Sequence, residues 1–157
     1  MSNKEKQYPY LKNSSIEKES ENLLNDYFKS INEPLNAPVP IFDIIEHLGY
    51  DVNFRNDGIY KDKNILGGLR IADKTVEINE NISDHEGRMN FTAAHETGHI
   101  VLHAPLYIKH ENTEQLEIDM CRSDAGFDGE KKEPEEFQAD KFAAFLLMPS
   151  ALIKKAF

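Results

Sequence analysis

The first clear pattern along the chain is an amphipathic stripe near the amino end. Apolar residues recur there every three or four positions, as on one face of a helix. Ser14 or Ser15 can cap this helix, which we expect to run to about Asn32. The stripe consists of Ile16, Leu23, Leu24, Tyr27, Phe28 and Ile31. Residues 1–13 are mostly polar and are predicted to form a flexible arm, so the single domain is predicted to span residues 14–157.

Shorter segments predict a second helix and a small sheet. A connector with three prolines, residues 32–40, leads to a helix at about residues 41–48, and Gly49 ends it. Three short strands follow in the prediction, at residues 50–54, 65–71 and 75–79. Asp73 and Lys74 form the predicted tight turn of a hairpin between the last two strands.

Two later segments are predicted to be buried helices. The first, residues 91–103, is apolar along its flanks and is ended by Pro105. The second spans residues 133–148, where Pro134 suits the first turn and Pro149 stops the helix. Its second half is almost entirely apolar. Together these elements predict an α+β fold, with a short, mostly antiparallel sheet packed on the two buried helices.

The charge and composition exclude several classes of protein. A net charge of −10 argues against direct nucleic-acid binding, which needs basic patches, and favours a basic protein partner. The chain has no apolar run of about 18 residues and begins with a polar segment, so we expect neither a signal peptide nor contact with a membrane. A single cysteine, Cys121, excludes an internal disulfide. We expect an inert thiol in a reducing, cytoplasmic setting.

The first buried helix contains the sequence His-Glu-x-x-His at residues 95–99. His95 and His99 lie about 40° apart on a helix and one turn along it, so both imidazoles can reach one ion. Glu96 lies about 100° round from His95, where it is a poor ligand but a well-placed general base. His103 lies a further turn along, about 6 Å away. We interpret it as a helix-end packing residue, favoured by the helix dipole.

A catalytic zinc ion needs a third protein ligand and an open position. Glu136 and Asp140 stand four residues apart on the second buried helix and therefore share a face. Glu136 is predicted to be the third ligand, with Glu135 as the alternative, about 100° away on the helix. Asp140 is predicted to accept the outward N–H of His95 or His99 and so to orient that ligand.

These two motifs resemble those of the ImmA/IrrE family of bacterial and phage metallopeptidases. The first reads Phe-Thr-Ala-Ala-His-Glu-Thr-Gly-His at residues 91–99, and the second spans residues 136–149. The resemblance covers roughly residues 37–157. Where the family usually has leucine, glutamate and asparagine, this chain has Thr97, Gln138 and Asp140. None of these departures removes a ligand.

The resemblance implies a zincin-like fold, a Zn²⁺ cofactor and site-specific endopeptidase activity. The implied substrate is a helix-turn-helix repressor of a phage, mobile element or stress regulon, whose cleavage relieves repression. The alternative is an antirepressor, or a toxin–antitoxin or defence component, that binds its partner without cleaving it. Glu96 favours the enzyme, because a purely structural metal site needs no base.

A long polar segment, residues 104–132, separates the two buried helices. Residues 116–120 can form a strand, and residues 123–132 are predicted to be a loop that covers the cleft. The candidates for stabilising an oxyanion are Tyr107, His110 and Arg122. Zinc peptidases of this kind hold an extended substrate along an edge strand by β-augmentation, and the sequence leaves open which strand that is.

Overall fold

The computed structural model describes residues 11–56, 65–82, 84–109, 117–122 and 134–156. Six α-helices occur within these ranges: α1 (Asn13–Ser30), α2 (Ile41–His47), α3 (Glu86–Leu102), α4 (Ala104–Lys109), α5 (Pro134–Leu147) and α6 (Ser150–Ala156). Four strands occur in the same ranges: β1 (Asp51–Arg55), β2 (Ile65–Arg70), β3 (Thr75–Asn79) and β4 (Glu117–Arg122). Helices and strands share one hydrophobic core, which confirms the predicted α+β fold.

The four described strands form one sheet in the order β1, β3, β2, β4. Strand β2 is antiparallel to both β3 and β4, while β1 is parallel to β3. Residues 71–74 connect β2 to β3, and Lys74 has a φ of 49°, in the left-handed region that closes the turn. The sheet is therefore mostly antiparallel, as predicted, and contains the predicted hairpin. The strand expected at residues 116–120 is β4, which extends to Arg122.

Helix α3 lies at the centre of the domain. It packs against α5 on one side and against β2 and β3 on another, while α1 covers α5. All its residues from Thr92 to Ile100 are buried. The sheet presents Leu69, Val76 and Ile78 to the core, and none of these side chains is exposed. A helix buried over this length brings its polar side chains into the interior, where they need partners.

A glycine allows α3 and α5 to approach closely. A Cβ added at Gly98 would lie 3.1 Å from the Cα of Ala139 and 3.2 Å from the Cβ of Phe142. The small residue at position 98 therefore lets the two helix backbones nearly touch. Gly98 is next to His99 in the chain, and Ala139 is three residues from Glu136. The close contact therefore sets the distance between the side chains of His99 and Glu136.

The start and end of α1 differ from the prediction. The helix begins at Asn13, and its N-cap residue Lys12 makes no side-chain capping hydrogen bond, so neither Ser14 nor Ser15 caps it. Ile31 follows the last turn with φ of −96° and ψ of 3°, outside helical geometry. Its side chain is 40% exposed, because it no longer continues the buried stripe.

The two central helices lie close to their predicted positions. Helix α3 begins at Glu86 rather than at residue 91, and α5 ends at Leu147. Helix α6 was not predicted. Residues 1–10 of the predicted arm and the predicted loop at residues 123–132 lie outside the described residues. Among the described helices, none combines the length and the apolar character that a membrane span requires.

Candidate metal centre

Helices α3 and α5 bring together three side chains that could hold a metal ion. One ligand atom from each of His95, His99 and Glu136 lies within 4.8 Å of the others. The Nε2 atoms of the two histidines are 3.2 Å apart. The Glu136 carboxylate places Oε2 at 2.8 Å from Nε2 of His95 and Oε1 at 3.1 Å from Nε2 of His99.

These separations fit a tetrahedral metal ion. Bonds of 2.0–2.1 Å to such an ion place neighbouring ligand atoms about 3.3 Å apart. Two imidazole nitrogens and one carboxylate oxygen are also a donor set that zinc commonly has in catalytic sites. The alternative ligand Glu135 does not belong to this donor set. Within the described residues, these three therefore suit one metal ion and supply three of the four positions of a tetrahedral site.

Burial and hydrogen bonds set the charges of these groups. Burial lowers the pKa of His99. Burial also opposes protonation of His95, but hydrogen bonds to Asp140 and Glu136 outweigh it and raise the pKa of His95 to about 10. Burial of Glu136 is likewise outweighed by its close contacts with the imidazoles of His95 and His99, which lower the pKa of Glu136 to about 2. In the metal-free protein a proton on His95 thus bridges to Glu136, and a bound metal would replace it.

Asp140 supports His95 from the side away from the donor cluster. Nδ1 of His95 donates a hydrogen bond to Oδ1 of Asp140 over 2.7 Å. One turn of α5 separates Glu136 from Asp140, so the same helix contacts both nitrogens of the His95 ring. This contact holds the ring orientation and leaves Nε2 directed at the donor cluster. The sequence placed Asp140 against one of two histidines, and the structure brings it to His95.

The carboxylate of Glu96 lies between α3 and β2. The residue is fully buried, and a Cβ added at Gly67 would lie 3.7 Å from Oε1 of Glu96. The same added Cβ would lie 2.7 Å from Cγ2 of Thr92, so β2 needs a glycine there. The negative charge of Glu96 is also close enough to His95 to favour the protonated form of that ring and so to raise its pKa. Glu96 therefore flanks the donor cluster without belonging to it.

His103 and Gln138 form a contact that the sequence interpretation missed. Nδ1 of His103 lies 2.8 Å from Nδ1 of His99, and Nε2 of His103 lies 2.9 Å from Oε1 of Gln138. Burial and the neighbouring His99 lower the pKa of His103 to about 4, so the helix dipole does not hold it as a cation. His103 was expected only to pack at the helix end, and the structure shows that it also contacts His99 and Gln138. The four-residue spacing from His99 was the available signal, since it places both rings on one face.

For the other candidates, the structure gives only the elements to which they belong. Tyr107 belongs to α4, and Cys121 and Arg122 belong to β4. His110 lies outside the described residues. The role of an oxyanion donor for Tyr107, His110 or Arg122 therefore stays a prediction.

The fold and the donor set together define the class of this protein. It is a small α+β, zincin-like domain with a His-His-Glu cluster, in which both histidines are buried, between two helices. Residues 45–157 match the sequence model of peptidase family M78, the IrrE N-terminal-like domain, and the chain belongs to this family. The match confirms the resemblance found in the sequence and identifies the domain as that of a metallopeptidase. No curated protein matches the chain significantly.

Proposed function

We propose that the protein is a cytoplasmic, zinc-dependent endopeptidase that cleaves a helix-turn-helix repressor and thereby relieves repression. The observation that carries this proposal is the spacing of the His95, His99 and Glu136 donor atoms, which matches one tetrahedral ion. Glu96 flanks the cluster from the same helix turn. A structural zinc site has four protein ligands, whereas the described residues supply three ligands and a flanking carboxylate, and this arrangement supports catalysis.

The residues divide the chemistry between them. His95, His99 and Glu136 would hold the ion. Zinc, when bound there, supplies Lewis acidity that polarises a peptide carbonyl and activates water near neutral pH. Glu96 accepts a proton as water attacks the carbonyl carbon, and returns it to the leaving amine when the peptide bond breaks. Asp140 keeps the His95 ring in place throughout.

Strand β4 supports an extended substrate. It is an outer strand of the described sheet and pairs with β2, with Cys121 opposite Gly67. A peptide that adds along the outer side of β4 would lie two strands from Gly67, the residue of β2 that lies against the Glu96 carboxylate. Strand addition of this kind binds main chain on both sides of the cleaved bond, as an endopeptidase requires.

The charge of the chain supports a basic partner. The net charge of −10 attracts a protein that carries the positive surface needed for DNA contact. Repressors of the helix-turn-helix class have such a surface. This argument concerns the encounter between the two proteins and does not identify the cleaved bond.

A substrate-trapping experiment tests the proposal. Tagged wild type, Glu96→Gln and Glu86→Gln are expressed in the native host, and the captured proteins are identified by mass spectrometry. Glu86 is an exposed residue of the first turn of α3, so its variant is a matched control for the same chemical change. We expect an intact repressor on Glu96→Gln only, with fragments beside wild type and the control.

The opposite result is equally clear. A partner held intact by all three proteins would identify a binder without proteolysis, such as an antirepressor or a toxin–antitoxin or defence component. Cleavage retained in a clean Glu96→Gln preparation would remove Glu96 from its assigned role.

A further inference from the structure

The second metal-binding histidine has a support different from the first. His95 donates to a carboxylate, Asp140, over 2.7 Å. His99 instead contacts a second imidazole, His103, which contacts the side-chain amide oxygen of Gln138. His99 and His103 are almost completely buried, and Gln138 is 6% exposed. Solvent therefore has little access to this chain of three side chains.

The direction of the hydrogen bonds follows from the role of His99. A histidine that binds a metal through Nε2 keeps its proton on Nδ1. Nδ1 of His99 then donates to Nδ1 of His103, which leaves the proton of His103 on Nε2. That N–H donates to Oε1 of Gln138, since an amide oxygen only accepts. One tautomer of each ring satisfies the whole chain.

The side-chain amide of Gln138 could also support the opposite direction of the hydrogen bonds, from Gln138 through His103 to His99. If its NH₂ group took the place of Oε1, it would donate to Nε2 of His103. His103 would then donate to His99, and the proton of His99 would move to Nε2, where it blocks metal binding. The acceptor orientation of Gln138 is therefore coupled to the metal-binding tautomer of His99.

We propose that His103 and Gln138 are positioning residues, which hold His99 in the tautomer that presents Nε2 to the metal. This inference rests on the proposed zinc site and deepens it. The support of His99 is uncharged, whereas that of His95 is anionic. The charge at the site thus comes from Glu136, Asp140 and Glu96, and the departure at position 138 adds no further carboxylate.

The test is zinc affinity, measured with zinc chloride and a competing chromogenic chelator. Gln138→Met keeps a similar volume and removes the acceptor, and we expect affinity to fall about 10-fold or more. Gln138→Glu keeps an acceptor, and its carboxylate, unlike the amide, cannot donate to His103. Zinc affinity of this variant should therefore equal or exceed that of wild type. Lys141→Met is the control on the same helix, because its amine lies over the Phe137 ring. It should bind zinc as wild type does.

A second readout separates positioning from simple packing. Nitrogen-15 NMR of the zinc-loaded wild type should show His103 with its proton on Nε2, and Gln138→Met should lose that single tautomer. His103→Phe, which fills similar space without nitrogens, should weaken zinc binding to a similar extent. Equal zinc affinity in wild type, Gln138→Met and His103→Phe would overturn this inference and leave the proposed metal site standing. Failure of wild type to bind zinc would overturn the proposed metal site, and this inference with it.

Discussion

At the scale of single residues, Asp140 offers the most direct test of how the metal ligands are held. Its carboxylate accepts the Nδ1 proton of His95 over 2.7 Å. Asp140→Ala leaves this donor without its acceptor, and we expect zinc affinity to fall about 10- to 100-fold in chelator competition. Asp140→Asn is the matched control, since its amide oxygen still accepts, and it should bind zinc more tightly than Asp140→Ala. Unchanged affinity in Asp140→Ala would contradict the orienting role.

His95 also predicts how the metal-free protein responds to pH. Its folded-state pKa of about 10 lies above the ordinary value of 6.5, because hydrogen bonds to two carboxylates outweigh burial. A raised pKa stabilises the folded state fully below pH 6.5, and this stabilisation is lost as the pH rises through about 10.

We therefore expect the free energy of unfolding of the chelator-treated protein to decline between these values. Urea denaturation at a series of pH values measures it. His95→Gln should show a weaker decline over the same range, because it lacks the titrating group. Identical pH dependence in the two proteins would show that the buried His95 cation does not contribute.

Some residues of the site could be predicted from the sequence, and others could not. His95 and His99 share a face through local helix geometry, so their spacing alone placed them together. Glu136 was placed by its four-residue spacing from Asp140 on a second helix. Gln138 lies two residues from both Glu136 and Asp140, about 160° round an ideal helix from them, and its contact with His103 depends on how α5 packs against α3. Such packing is not local and could not be read from spacing.

At the scale of elements, the contact between α3 and α5 decides the geometry of the site. A methyl group at position 98 would meet the backbone of Ala139 and the Cβ of Phe142 at 3.1 to 3.2 Å, and neither can rotate away. Gly98→Ala must therefore separate the two helices. We expect it to cost about 1–3 kcal/mol of stability and to weaken zinc binding, since Glu136 moves away from the histidines.

The control for this change lies on the same helix. A Cβ at Gly87 would have nothing within 4 Å, so Gly87→Ala should leave zinc affinity unchanged and should not reduce stability. Urea unfolding and zinc titration of both variants separate a packing effect from a general effect of alanine. Equal zinc affinity in Gly98→Ala and wild type would show that the close contact does not position Glu136.

The sequence predicted the ends of helices correctly where a single residue type, glycine or proline, determines them. Gly49, with a φ of 84°, ends α2 as predicted, because glycine adopts this conformation without strain. Pro134 lies in the first turn of α5, as predicted. Strand pairing was less accessible: the parallel register of Asp51 against Thr75 joins segments that no turn connects. The alternation of a strand indicates which face is buried and not which strand lies beside it.

At the scale of the whole molecule, charge and shape act on the partner at different distances. Proposed peptide addition along β4 would act only on contact, through main-chain hydrogen bonds that accept many sequences. The net charge of −10 would act over several ångströms before contact and favour the basic surface of the proposed partner. An endopeptidase with one intended substrate needs both, since an open strand edge alone discriminates poorly.

If charge acts before contact, salt should change the association rate of the two proteins much more than their dissociation rate. Raising NaCl from about 0.1 M to about 1 M shortens the Debye length from about 10 Å to about 3 Å. With Glu96→Gln and the basic partner that it captures, we expect the association rate to fall at least about tenfold and the dissociation rate to change much less. Surface plasmon resonance measures both rates, and sucrose at matched osmolarity controls for solvent effects. An association rate independent of salt would mean that the acidic surface serves solubility, and that short-range contacts alone choose the substrate.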